Sequence, residues 1–177
     1  MDEQHDQMSA LRAVAHPIRL RILSLLTGAE MSASEVAREL DITQANASYH
    51  LRVLANAGEV VEAGEEKIRG GVAKRYRHPW ERAEPPAPPD REGRELYLRV
   101  LGEELVRRDR LRRPGAPRMT TDAEMWVTPE VRDEVFALVN RAARLIHAEA
   151  RPPRTPGTVH VNLTAAVFEM ADEEDAR

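Results

Sequence analysis

The stretch TQANASYHLR, residues 43–52, sets several hydrogen-bonding side chains within one helix length. Gln44 and Asn46 each offer a paired donor and acceptor, the pattern that matches the exposed edge of adenine. Ser48, Tyr49 and Arg52 can reach either base edges or backbone phosphates, and Thr43 and Ala45 complete the polar side. No acid occurs between Thr43 and Ala57, so nothing on that segment repels a polyanion. Lys67, Arg69, Lys74, Arg75 and Arg77 follow, with no acid between residues 67 and 77, and include both lysines of the chain. They predict a local positive field that survives a net charge of −4. Each group also has a plainer reading: polar helix faces are commonly solvated, and cations on a hairpin discourage edge-to-edge pairing.

The elements that must position these groups can be read from periodicity and caps. Leu11 to Leu26 reads as one helix ending near Gly28, with Ile18, Ile22, Leu25 and Leu26 at helical spacing and Pro17 suited to a first turn. Ser32-Ala33-Ser34-Glu35 has the form of a capping box and opens a short second helix through Val36, Ala37 and Leu40. Thr43 caps a third helix from about Gln44 to Ala57, where Gly58 supplies a left-handed terminus. Ala47, Leu51 and Leu54 form its inward side, which leaves the polar residues outside. Two β-prone pieces, Val60 to Ala63 and Val72 to His78, then read as a hairpin with a glycine-bearing tip. Helix, helix, helix, hairpin is the order of a winged helix-turn-helix, whose third helix suits a major groove.

Composition narrows the classes. With no cysteine among 177 residues, disulfides, thiolate metal sites and cysteine nucleophiles are ruled out. No GxSxG, P-loop, GxGxxG or HExxH pattern occurs, so no enzyme and no cofactor is expected. The acidic pairs Glu65-Glu66 and Glu103-Glu104 read as neighbours facing water. His147 and Glu149 lie two apart on a helix and do not share a face, so with His160 they make no metal site. The acidic, polar start and the lack of a long apolar run predict a cytoplasmic protein with no membrane partner.

ALRAVAHPIRLRILSLL, then SASEVARELDITQANASYHLRVLANAGEVV, then a basic hairpin ending AKRYRHPW, resembles the ArsR-type winged-helix repressors. The resemblance is carried by His16-Pro17-Ile18-Arg19, Arg21-Ile22-Leu23, Ile42, Gln44, Ser48, His50-Leu51, Leu54, Ala57-Gly58 and Tyr76, and covers roughly Met8 to Trp80. It implies a homodimeric bacterial transcription factor that binds double-stranded DNA, with the helix from Gln44 in the major groove and the hairpin on flanking DNA. It also implies that His16 and His50 pack within the trihelical core. The cysteine pair of the family's thiophilic-metal sensors is missing from EMSASEVAREL, and the helix after the wing lacks the histidine of its second metal site.

The expected organisation is a winged domain over residues 1–80, a proline-rich linker over 81–93 and a C-terminal dimerisation or effector unit over 94–177. Overall this is a mainly α fold with a small β part, its C-terminal unit helical or α+β. Pro79, Pro85, Pro86, Pro88 and Pro89 mark the connector. Arg94 to Arg113 forms a charged helix that pairs with its symmetry mate or covers the winged domain. Thr128-Pro129-Glu130 opens another helix to about Ala150, whose stripe runs through Val131, Val135, Leu138, Ala142 and Leu145. Val159, Val161, Leu163, Ala165 and Val167 alternate as in a strand, with Ala123 to Val127 as partner. Met125, Trp126 and Phe168 then read as core or as the lining of a pocket for a small-molecule effector.

Overall fold

The computed structural model describes residues 11–68, 71–81 and 91–171. Its first long helix, α1 (Pro17–Gly28), is not continuous with the helical turn at residues 11–14. Proline at N1 disfavours helical geometry in the residue before it, and His16 is extended at φ −152°. The His16 ring compensates by accepting from the Ile18 N–H at 3.2 Å through Nδ1. The continuous helix read from Leu11 is therefore corrected to a turn, a break and a capped helix.

Strand β1 (Met31–Ser32) leads directly into α2 (Ala33–Leu40). The capping box forms as its sequence predicts: the Ser32 N–H donates to Glu35 Oε2 at 2.7 Å, and the Glu35 N–H donates back to Ser32 Oγ at 3.4 Å. Asp41 ends α2 in the left-handed region at φ 54°, which aspartate tolerates better than most residues. Helix α3 (Gln44–Asn56) follows after Ile42 and Thr43, and the Thr43 hydroxyl accepts from the Asn46 N–H at 3.2 Å. Gly58 turns the chain out of it at φ 72°.

The three helices bury one core of Ile22, Leu26, Val36, Ala47, Leu51 and Leu54, closed by Val60 where the hairpin leaves. Strands β2 (Val61–Ile68) and β3 (Gly71–Arg77) form that hairpin, longer than its sequence suggests, with a bulge between Glu62 and Gly64. The sheet order is β1-β3-β2, all antiparallel, and Met31 pairs with Tyr76. Two residues carry no strand period, so β1 left no trace in the sequence.

Helix α4 (Arg91–Asp109) lies on α1. Val100 and Glu104 are buried between them, Tyr97 and Leu101 are half-buried, and Leu96 and Leu105 face outward. Glu104 is only 2% exposed, which corrects the solvated reading of the Glu103-Glu104 pair. Arg21 donates to its Oε1 from Nε at 2.9 Å and from Nη2 at 2.7 Å, Arg107 donates to Oε2 at 2.8 Å, and Arg108 stands 3.8 Å away. Burial alone would raise the Glu104 pKa, but the arginine bonds outweigh it and hold the carboxyl below its usual range.

Helix α5 (Pro129–Ala148) begins as its sequence predicts, with the Thr128 hydroxyl accepting from the Val131 N–H at 3.4 Å. The C-terminal half is helical without a sheet among the described residues. Residues 158–168 and 123–127 are not strands, and Met125, Trp126 and Phe168 are exposed rather than core or pocket lining. An alternating pattern needs a hydrogen-bonding neighbour to become a strand, and none lies beside it among the described residues. Pro79 is buried, whereas Pro85, Pro86, Pro88 and Pro89 lie outside the described residues. No described helix is long and apolar enough to cross a membrane.

Candidate nucleic-acid interface

The outward face of α3 follows from which side its core residues occupy. Ala47, His50, Leu51 and Leu54 are buried, so the opposite line runs through Ala45, Tyr49 and Arg52, all exposed, with Ser48 half-buried beside them. Gln44 and Asn46 do not share that line. Two residues apart, they point about 200° from one another around the axis. Gln44 is exposed at the first turn on one shoulder, and Asn46 is half-buried on the other. The sequence reading that gathered both on one side is corrected accordingly. The Thr43 hydroxyl is committed to its cap.

The first turn of α3 contains no acid. Helix starts commonly carry one to satisfy the partial positive charge of the free N–H groups; here that charge remains available to an external anion. Beneath the face, the His50 ring lies 4.7 Å from His16 and its edge meets Tyr49 at 5.2 Å. His50 Nδ1 is buried with no hydrogen-bond partner among the described residues. Burial pushes both imidazole pKa values below 6.5, and Arg19 adds to the effect, so the pair is neutral near pH 7. His50 is buried beneath α3, and His16 is half-buried beside it at the start of α1.

The hairpin presents a different picture from its sequence. Lys74 and Arg75 of β3 face glutamates of β2, because antiparallel pairing brings residues of distant sequence number together. Lys74 Nζ meets Glu62 at 2.7 Å, Arg75 meets Glu66 at 2.7 Å and Glu35 at 3.1 Å, and Arg77 meets Glu81 at 3.4 Å. Arg75 also donates to the Glu30 carbonyl, so it ties the wing to β1 and the start of α2. Its role in the structure is architectural. Lys67 is exposed and makes no ion pair among the described residues, and Arg69 lies outside them. Of the field inferred from residues 67–77, the share of Lys74 and Arg75 is therefore offset within the hairpin, and that of Arg77 by Glu81 just after it.

The sequence reading passed over a denser positive segment. Arg110, Arg112, Arg113 and Arg118 are exposed just beyond α4, and the nearest acid, Asp109, stands 3.7 Å from Arg112. The run RRDRLRRPGAPR, residues 107–118, was the available signal.

A trihelical core with a polar third helix and an antiparallel wing defines a class of protein, and comparison with known families agrees with it. Residues 14–60, which hold α1, α2 and α3, match the helix-turn-helix domain family. The N-terminal part of the chain is a helix-turn-helix domain, as the resemblance implied. Within that class, the transcriptional repressor SdpR of Bacillus subtilis (strain 168) is 35% identical over 49 residues. The match covers 28% of this chain and 54% of that protein, so the chain spans about half the length of this relative.

Proposed function

We propose that the protein is a DNA-binding transcriptional regulator, a dimeric repressor that reads a pseudo-palindromic operator through the exposed face of α3. The observation that carries this reading is the face itself: it is polar and acid-free, its first turn leaves the helix dipole uncompensated, and its opposite side is locked into the core. Gln44, Ala45, Ser48, Tyr49 and Arg52 take the groove-facing positions, with Asn46 at the margin. Lys67, and Arg69 beyond the described residues, take the flanking phosphates. Lys74 and Arg75 hold the hairpin together before they hold DNA, and Arg77 is paired with Glu81 just after it. The likeness to a named repressor supports the direction of regulation.

One observation favours a second reading, a protein-interaction module on the same scaffold. Lys74 and Arg75 of the wing are paired with its own glutamates, which a phosphate-gripping hairpin does not require. Capture of sheared genomic DNA by the purified protein separates the two. Retention of a few fragments sharing an inverted repeat, lost in Gln44→Ala, is the expected result. No retention, or retention of all fragments alike in a purely salt-dependent way, would leave the interaction module as the better reading.

A further inference from the structure

Beyond residue 118 the chain carries apolar surface that its own fold leaves uncovered. Helix α5 spans 20 residues and buries none of them. Phe136 is 43%, Leu138 58% and Leu145 64% exposed, and Trp126, Val161 and Phe168 on the flanking extended segments are also exposed. Scattered apolar side chains are normal on a surface, but here a helix and two extended segments share the property.

The areas give the scale. The molecule exposes 14020 Å², whereas a compact chain of 19.9 kDa exposes roughly 8,700 Å². Counting every undescribed residue as fully extended chain, at roughly 160 Å² each, still leaves an excess on the order of 2,000 Å². A standard complex takes about 800 Å² from each partner, so the excess matches the larger interfaces of obligate dimers.

The C-terminal region is nonetheless anchored near the end of α1 and at one point on α4. Gly28, at the end of α1, approaches the chain after α5 so closely that an added Cβ would lie 2.8 Å from the Arg151 carbonyl oxygen. Trp80 stacks on His147 with ring centroids 5.5 Å apart, and Arg154 pairs with Glu39. The final segment then runs back toward the start of α5, where Glu169 meets Arg132 at 2.7 Å, and Arg108 donates to Asn162 at 3.0 Å. The result is a helix with an extended strip beside it, fixed at its base and bare on its apolar side.

From this we infer that residues 119–171 form an arm that closes only against the same arm of a second copy of this chain. The α5 stripes meet across a twofold axis, and residues 158–168 gain their strand partner from the other chain. A second copy fits because the missing pieces are the ones this chain already owns: an apolar helix stripe and two strand-patterned segments, 123–127 and 158–168, self-complementary about a twofold axis. Helix α4, by contrast, has spent its Val100 and Glu104 side on α1. This interface rests on the dimeric reading proposed above and supplies its contact surface.

The test uses the full chain. Light scattering after size exclusion gives the mass, and hydrogen exchange reads the backbone amides of residues 159–167. The wild type is expected to be a dimer with slow exchange there, although a lone chain pairs none of those residues in a strand. Leu138→Glu and Val161→Glu, both at exposed positions, should give monomers with fast exchange and an unchanged exchange pattern in α1 to α3. A dimer whose 159–167 amides exchange fast would overturn the arm while leaving the dimeric regulator intact. A monomeric wild type would overturn both. Slow exchange and a dimer without selective DNA capture would support the arm and sink only the DNA reading.

Discussion

Glu104 joins α4 to the winged domain, and replacing it with glutamine tests that junction at nearly constant shape. The carboxylate takes two bonds from Arg21 and one from Arg107, all within 2.9 Å. Charge-assisted bonds of this kind contribute about 1.5–3 kcal/mol each before context is considered. Glutamine keeps one acceptor, which can stay on Arg21, but turns an amide NH₂ toward Arg107 and Arg108, donor against donor. Removing one member of a fully buried pair costs about 3–5 kcal/mol. The arginines here are 31%, 35% and 20% exposed, so they recover part of their hydration. Glu104→Gln is therefore expected to cost about 2 kcal/mol, which lowers the urea midpoint by roughly 1 M. Arg107→Gln, which leaves Glu104 its two bonds from Arg21, should cost less than about 1 kcal/mol. Far-UV circular dichroism during urea titration reads both. Equal losses for the two variants, or a loss below about 0.5 kcal/mol for Glu104→Gln, would refute the reasoning that burial of this carboxylate makes it the centre of the junction.

Three further outcomes follow from the same geometry. The pKa values of His16 and His50 are lowered in the fold, so the unfolded chain takes up protons first as pH falls through 6.5. Stability should therefore be full above 6.5 and fall below it, and His50→Gln should flatten that slope in urea titrations repeated across pH. Arg75→Ala should cost about 1–2 kcal/mol by releasing Glu35, Glu66 and the Glu30 carbonyl, whereas Lys67→Ala should leave stability within about 0.5 kcal/mol and weaken DNA binding instead. Gly28→Ala should cost about 1–3 kcal/mol at the docking of the chain after α5, because a backbone carbonyl rather than a flexible side chain blocks the new methyl group; faster amide exchange near Arg151 would report it.

The winged domain was legible because its signals are local. Ser32 with Glu35, Thr43 before Gln44, and Gly58 after α3 each fix a boundary through neighbours a few residues away, and all three appear in the structure as read. The start of α5 at Pro129 was legible for the same reason. What escaped was decided across distance. Glu62 and Lys74 are far apart along the chain, so the neutralisation of the wing depends on a register that no sequence window contains. Glu104 looks like any solvated helix glutamate until Arg21 is brought against it from α1. The alternating run after Thr158 is a strand signal without a strand, because no described residue pairs with it. Gln44 and Asn46 were assigned to one face by polarity, although the helical period alone separates them.

The direct test of the central claim is the ratio of affinities for a captured operator fragment and for a scrambled duplex of equal length, measured for the wild type, Gln44→Ala and Lys67→Ala across a salt series. If α3 reads sequence, Gln44→Ala should narrow the ratio by the about 1–3 kcal/mol of a lost base contact while keeping the wild-type salt slope. Lys67→Ala should weaken both duplexes alike and reduce the slope by about 1. An unchanged ratio for Gln44→Ala together with substitutions at Ser48, Tyr49 and Arg52 would contradict the account, because the outward face of α3 would then carry no sequence information.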